Sequence, residues 1–205
     1  GVAGARVEAG ATQIIEQHLE PGGRHDDGLM PAIESIRERL AVRPDGLDRI
    51  CISIGPGGYT ALRIAATTAN LLSETTGAKI AAVPSAAVVA SNISGNRPFA
   101  VCLASKRGTT HATLFDGSNG LGRAVGLIGP GDVGSLGVDL IIADRFLPAA
   151  IRERAVEIGI RINPPVFSPG ACLRLGLEME PTGTALPVYA REAEAVRLWR
   201  SRDRG

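Results

Sequence analysis

Aromatic side chains are scarce in this sequence, at 3% of 205 residues. The core must therefore be built mainly from Ala, Val, Leu and Ile, and we do not expect the stacking platforms that bind single-stranded nucleic acid. A basic excess is also lacking, because 22 Lys and Arg residues stand against 21 Asp and Glu residues, a formal net charge of +1. Residues 197–204 are the one concentrated basic stretch, and Asp203 interrupts them. We interpret that stretch as a solvated terminus and expect no tight RNA binding by this chain alone.

Cysteines and long apolar runs are few as well. The three cysteines, at 51, 102 and 172, are far apart and lie within apolar runs. This pattern argues against a disulfide framework and against metal-ligand spacing, so Cys51 and Cys102 are predicted to be small core residues. No apolar stretch approaches the roughly 20 residues that span a membrane, and no signal peptide is recognised at the start. We expect a protein of the reducing cytoplasm.

Hydrophobic periodicity predicts an α/β protein in two halves. Strands are predicted over residues 2–8, 12–19, 50–54, 79–83, 99–104, 109–115 and 138–143, with 50–54 a buried strand. Helices are predicted from residue 26 and over 60–75, 85–90, 147–158 and 169–178. The small and polar residues 94–98 predict a linker, which divides the chain into domains 1–96 and 97–205. Strand hairpins followed by alternating helices and strands, twice, indicate mixed sheets.

A glycine-rich turn lies between the predicted strand 50–54 and the following helix. It contains Gly55, Gly57, Gly58 and Thr60. Backbone amides at such a turn can bind an anion or nucleotide phosphate. Equally, glycines can supply the positive φ and close packing of a tight turn. The residues alone leave both interpretations open.

Catalytic and metal-binding constellations are not evident. His25 precedes two aspartates, but the position one turn later holds Leu29, so we expect no metal and assign His25 to the helix start. Ser53, Ser85 and Ser105 lie in no Gly-x-Ser-x-Gly motif. A triad with His111, assembled in space from distant positions, stays open as an alternative. We assign no catalytic residue.

The helix predicted over 60–75 is apolar or small around much of its circumference, with Ala61, Ile64, Ala65 and Thr68 among these residues. Small residues let a second helix approach within 8–10 Å between axes. The helix is therefore either buried within its own domain or packed against its sheet on one face and a partner on another. The width of the apolar surface favours both together.

Several motifs together resemble the TsaB family, also called YeaZ. Residues 24–33 place a His before Leu29-Met30-Pro31, like the family's His and Leu-Leu-Pro, and residues 54–64 (IGPGGYTALRI) resemble its G-x-G-S-F-T-G-L-R-I signature. Residues 79–85 (KIAAVPS) are similar to the strand and turn that follow, and residues 106–108 to a basic turn. Residues 187–191 (PVYAR) resemble the terminal Pro-x-Tyr-x-Arg. The order agrees over nearly the whole chain.

The resemblance implies two actin-like or Hsp70-like (ribonuclease H-like) lobes, with the first strand of lobe one and its Asp-Thr-Ser phosphate loop missing here. It implies a non-catalytic partner of TsaD in threonylcarbamoylation of adenosine in tRNA, without a cofactor. The ATPase TsaE is implied as a transient partner, a homodimer when the chain is alone, and tRNA contact only through the complex. The first two helices would form the interface, through Leu29, Ile33, Ile36, Ala61, Ile64, Ala65 and Thr68.

The sequence departs from the family at Gly58, Tyr59 and Ala61, where Ser, Phe and Gly are usual, and at Ala104, where Asp is common. Three alternatives stay open, and the departures at Gly58 and Ala61 leave room for the last of them. The chain could be a glycoprotease-like metallopeptidase, a nucleotide-binding module that uses residues 55–60, or a diverged homodimer.

Overall fold

The computed structural model describes residues 1–8, 11–19, 28–117, 120–192 and 199. The strands are β1 (Val2–Glu8), β2 (Ala11–Gln17), β3 (Arg49–Ser53), β4 (Lys79–Val83), β5 (Phe99–Lys106), β6 (Thr109–Phe115), β7 (Arg123–Ile128), β8 (Leu140–Ala143) and β9 (Arg161–Asn163). The helices are α1 (Leu29–Arg39), α2 (Tyr59–Thr76), α3 (Ser85–Ala90), α4 (Ala149–Glu157) and α5 (Pro169–Glu178). Short 3-10 helices cover Pro44–Gly46 and Pro130–Leu136.

The strands form three separate sheets. β1 and β2 make an antiparallel pair, β3 and β4 a parallel pair, and the third sheet has the order β7-β6-β5-β8-β9. In that third sheet β6 runs antiparallel to β5, whereas β8 runs parallel to it. The expectation of an α/β protein with mixed strand directions is therefore confirmed.

Helices lie on both faces of the two small sheets. A Cβ on Gly4 would collide with Ile36 of α1, whereas one on Gly1 would collide with Pro169 of α5. Since alternate residues of a strand point to opposite faces, α1 and α5 lie on opposite sides of β1. Ile52 of β3 packs into a cluster with Ala66 of α2, and Cys51 meets α5. Thus α1 and α2 share one face, and α5 covers the other.

The five-stranded sheet carries the larger core. Alternate residues of β5 divide between two clusters, one beneath α4 that includes Cys102 and Ile151, and one beneath α3 that includes Val101 and Val89. Phe99 and Phe115 stack across β5 and β6 with ring centroids 5.1 Å apart. The central strands β5 and β8 are buried on both faces, as their apolar sequences predict.

The first small sheets are less buried than predicted. Only Ile52 is fully buried among residues 50–54, and Cys51 is half-buried. The prediction of a buried strand there is therefore wrong, although the strand itself is confirmed. Helices cover both of its faces, so the exposure comes from the edge of β3 that does not pair with β4.

The C-terminal part of the chain packs against the first half. All four strands β1 to β4 contact α5, and the Thr182 amide donates to the Ile80 carbonyl at 2.6 Å. The Val188 amide donates to the Ile54 carbonyl at 2.7 Å. Residues beyond position 96 thus complete the layers around β1 to β4, and the division into 1–96 and 97–205 stays a prediction.

Candidate functional site

Helix α2 buries one face and leaves a second apolar face accessible. Leu62, Ala66 and Ala69 are buried, and Ala66 and Ala69 pack with Ile52 of the sheet beneath. These three positions follow the i, i+4, i+7 spacing of one helical face. The Gly77 C-cap adopts φ 78°, the left-handed conformation that ends many helices.

The residues predicted to face a partner lie beside this buried face. Ala61 is exposed, and Ile64, Ala65 and Thr68 are half-buried. At 100° per residue these four positions fall within one stripe, which Leu71 extends toward the helix end. Leu71 is 59% exposed. We call this set of five residues the α2 stripe.

Helix α1 contributes less apolar surface than the sequence indicated. Leu29 and Ile33 are half-buried, but Ile36 is only 4% exposed and packs against β1 at Gly4. Ile36 therefore faces its own chain, because Gly4 lets α1 approach the strand closely. Met30 is 50% exposed and joins Leu29 and Ile33 on the accessible side, although sequence reasoning did not select it.

Both helices lie on the face of the small sheets opposite α5. Small residues along α2 and long apolar side chains on α1 are the combination that ridge-into-groove packing of helices uses. The arrangement can bind another helix pair, and it holds no reactive group at its centre.

The glycine-rich turn before α2 is packed against its own chain at Gly55. Gly55 has φ +111°, and a Cβ there would collide with the Val188 carbonyl. Its amide donates to the Ser85 hydroxyl at 2.9 Å and is not directed at solvent. The turn interpretation therefore accounts for Gly55. Gly57, Gly58 and Thr60 are half-buried or exposed, and an anion site that uses them stays a prediction.

Two tyrosines stack beside this turn. The rings of Tyr59 and Tyr189 lie 4.8 Å apart between centroids, and the Arg63 guanidinium lies over Tyr59 at 5.4 Å. Three residues earlier than Tyr189, Leu186 is exposed. The spacing of Pro187, Tyr189 and Arg191 was visible in the sequence, but nothing in it indicated that this segment lies against α2.

The hydroxyls of the three serines considered as nucleophiles are hydrogen-bonded to other side chains. The Ser53 and Ser85 hydroxyls lie 2.7 Å apart, and the Ser105 hydroxyl donates to Thr110 at 2.9 Å. Nδ1 of His111 is buried without a hydrogen-bond partner, and burial followed by the charge of Arg191 lowers the pKa of His111. A neutral imidazole is therefore favoured there.

The three thiols are kept protonated. Burial raises the pKa of Cys51 to about 11 and that of Cys102 and Cys172 to about 12. Since the thiolate is the nucleophile and the metal ligand, these cysteines are poor candidates for either role. Among the described residues, no group of three or more His, Cys, Asp or Glu side chains could hold a metal. His25 lies outside the described residues. No helix within those ranges is long and apolar enough to cross a membrane.

One family model and one known protein match this sequence, and both are described by threonylcarbamoyladenosine in tRNA. Residues 11–120, more than half of the chain, match the model of the family described as TsaD: tRNA N6-adenosine threonylcarbamoyltransferase. The chain is 32% identical over 101 residues to the tRNA threonylcarbamoyladenosine biosynthesis protein TsaB of Bacillus subtilis. That alignment covers 47% of this chain and 43% of the relative, so it spans less than half of either protein.

Comparison with solved structures gives the fold. A Pseudomonas aeruginosa protein described as uncharacterized, with similarity to peptidase YEAZ, superposes with a TM-score of 0.68 over 92% of this chain and 94% of that one, at 19% identity. YeaZ from Pseudomonas aeruginosa superposes with a TM-score of 0.65 over 91% and 93%, at 18% identity. The mixed α/β arrangement described above is therefore shared with these proteins.

Proposed function

Because this chain belongs to the TsaB/YeaZ family, we propose that it acts in the biosynthesis of threonylcarbamoyladenosine in tRNA, as a non-catalytic partner of a TsaD-type transferase. Its part is to bind TsaD and hold it in a competent arrangement. The transfer itself belongs to TsaD in this proposal, and tRNA is contacted only through the complex.

The observation that carries the proposal is the α2 stripe together with the accessible side of α1. Ala61 and Leu71 are exposed on a helix whose opposite edge is already buried against β3. An apolar helical surface of this kind costs free energy in water and is stabilised by a partner that covers it. Small residues at its centre permit the close helix approach that a four-helix contact requires.

The finer parts of the proposal follow from family membership. The two halves correspond to two actin-like lobes, and the TsaE-type ATPase joins the complex transiently. Without TsaD, the same surface pairs two copies of this chain as a homodimer. The compartment is the cytoplasm, where tRNA is modified and where buried free thiols such as Cys102 stay reduced.

The test is size-exclusion chromatography with light scattering, mixing this protein with TsaD of the same organism at micromolar concentration. We expect a one-to-one complex. Ala61→Arg places a charged side chain in the α2 stripe and should weaken the complex at least about tenfold, since about 1.4 kcal/mol is enough for that loss.

Ala150→Arg is the matched control. Ala150 is exposed on α4, which packs on the five-stranded sheet, and the substitution is the same as that at Ala61. It should bind TsaD like the parent. Equal binding by both variants would reject the α2 stripe as the interface. A homodimer that ignores TsaD would reject the partnership and leave the family assignment intact.

A further inference from the structure

The two tyrosines of this chain meet at the protein surface. Tyr59 opens α2, whereas Tyr189 lies far from it in sequence, in the segment after α5. Their ring centroids are 4.8 Å apart at an interplanar angle of 30°, and the two residues are 48% and 39% exposed. The composition led us to expect no stacking platform, but a count of aromatic residues does not show which of them the fold brings together. A partly exposed pair of rings presents apolar surface on which another ring can stack.

Positively charged side chains lie beside the two rings. The Arg63 guanidinium is 5.4 Å from the centre of the Tyr59 ring and donates to the Tyr59 hydroxyl at 3.1 Å. Arg63 forms no ion pair with the carboxylates that the structure describes. Arg191, two residues after Tyr189, donates to the Lys106 carbonyl at 3.0 Å, and Lys106 is exposed. Since two residues span at most about 7 Å, the rings and these cations form one continuous surface. We call Tyr59, Arg63, Lys106 and Tyr189 the tyrosine surface.

The three segments that form the tyrosine surface lack acidic residues in the sequence. Residues 49–73, 99–115 and 181–191 contain no Asp or Glu, although the whole chain has 21 of them against 22 Lys and Arg. The cations within these segments include Arg63, Lys106, Arg107 and Arg191. Glu192 is the first carboxylate beyond the last segment. A chain that is nearly neutral overall therefore carries a locally positive surface, which attracts a polyanion.

The tyrosine surface faces away from the α2 stripe. At 100° per residue, Tyr59 and Arg63 lie about 160–200° around the helix axis from Ala61. Asn70 is on their side of the helix, where its side chain donates to the Ala185 carbonyl at 3.1 Å and accepts from the Ala185 amide at 2.7 Å. These bonds hold the segment that leads to Tyr189 along that side. A TsaD subunit that covers the α2 stripe would therefore leave both tyrosines accessible.

We infer that the tyrosine surface binds a single-stranded loop of the tRNA in the complex with TsaD. Unpaired bases of an RNA loop stack on exposed aromatic rings, and the neighbouring phosphates pair with Arg and Lys. Tyr59 and Tyr189 supply the rings, and Arg63 and Lys106 supply the charges. The inference rests on the proposed function and adds one tRNA contact to it. A surface with so few cations binds RNA weakly by itself, which agrees with contact only within the complex.

The test is fluorescence anisotropy of labelled tRNA titrated with the preformed complex of this chain and TsaD, at several salt concentrations. Tyr59→Leu and Tyr189→Leu keep an apolar side chain but remove the ring, so each should weaken binding at least about fivefold with an unchanged salt dependence. Arg63→Gln should weaken binding at low salt and reduce the slope of log K against log salt by about one, because one phosphate contact is lost.

Phe167→Leu and Arg161→Gln are the matched controls. Phe167 is 51% exposed and directly precedes the N-cap of α5, the helix on the face opposite α2. Arg161 is exposed at the start of β9, which ends the order of the five-stranded sheet. Complexes that carry either control should bind tRNA like the parent complex.

Light scattering before each titration measures the complex with TsaD, and the melting temperature of each variant measures its fold. If the parent chain formed no complex with TsaD, the proposed function would be overturned and the inference with it. If the complex formed but the tyrosine and Arg63 variants bound tRNA like the controls, the inference alone would be overturned. Loss of TsaD binding by Tyr59→Leu or Tyr189→Leu, with the fold intact, would also overturn it, since the surface would then bind protein.

Ultraviolet crosslinking of the parent complex to tRNA, followed by mass spectrometry of peptides, is a second measurement that needs no variant. Nucleotides attached to Tyr59 or Tyr189 would support the inference. Crosslinks confined to TsaD or to other parts of this chain would count against it.

Discussion

The segment after α5 is anchored by one arginine, and replacing it should be costly. The Arg191 guanidinium donates to the Ala104 carbonyl, to the Lys106 carbonyl at 3.0 Å, to the Thr109 carbonyl at 2.8 Å and to the Thr109 hydroxyl at 2.6 Å. It thereby holds the turn between β5 and β6, where Ala104 and Arg107 adopt φ +55° and +54°. Neither residue favours the left-handed region without support from its surroundings.

Arg191→Ala should lower the free energy of unfolding by about 3 kcal/mol. Hydrogen bonds to a charged group contribute about 1.5–3 kcal/mol each, but these four share one guanidinium and are far from additive. The carbonyl of Lys106 lies in an exposed environment and can be rehydrated, whereas those of Ala104 and Thr109 are partly buried. For a chain of this size, the loss corresponds to a fall of about 6–12 °C in melting temperature.

Thermal and urea unfolding followed by circular dichroism would measure the loss. Arg191→Lys keeps the charge but not the planar fork, so it should recover less than half of the stability. Arg43→Ala is the control, because Arg43 is 82% exposed in its ion pair with Asp45 and should change stability by less than about 0.5 kcal/mol. A melting temperature for Arg191→Ala within 2 °C of the parent would refute the reasoning, and full recovery by lysine would assign the effect to charge alone.

Two further perturbations test the interior. Ser85→Ala removes the acceptor of the buried Gly55 amide and should cost about 1–3 kcal/mol in urea unfolding; Ser91→Ala, at an exposed serine, should cost less, and equal losses would contradict this role. The pKa of His111 is lowered in the folded state from its ordinary value of 6.5. As the pH falls, the unfolded state therefore binds a proton at a higher pH than the folded state does. The melting temperature should therefore drop between pH 7 and 5, and His111→Gln should reduce that drop; an unchanged drop would assign it to other groups.

Local elements could be predicted from the sequence where chemistry acts over a few residues. The bounds of α5 are those expected, and α2 begins one residue before and ends one residue after the expected range. Glycine and proline set these ends, since Gly77 closes α2 and Pro169 opens α5. The turn at Arg107 and Gly108 was predictable for the same reason.

Elements without such signals were not predicted. β7 has five residues that are exposed or half-buried and one buried residue, Ile128, so it shows no alternation of the kind that indicates a strand. β9 is only three residues long. The 3-10 helix Pro130–Leu136 is rich in glycine and lacks a helical period. Pairing with β6 and β8, distant in sequence, stabilises these strands and supplies what local propensity does not.

The orientation of α1 could not be predicted from the sequence either. Leu29, Ile33 and Ile36 share one helical stripe, and periodicity cannot say which part of a stripe meets the sheet and which part meets solvent. Because Gly4 has no side chain, Ile36 packs closely against β1 at that position. Leu29 and Ile33 remain half-buried. The sequence shows a glycine at position 4 of a predicted strand. It does not show that Ile36, more than thirty positions later, packs against that glycine.

The proposed interface depends on how α1 and α2 are held relative to each other. α1 rests on β1 and β2, α2 rests on β3 and β4, and these pairs share no ladder among the described residues. Contact with α5 bridges the pairs, at Pro169 on one side and at Gly176 on the other. The surface offered to TsaD should therefore depend on the position of α5 as well as on the residues of α1 and α2.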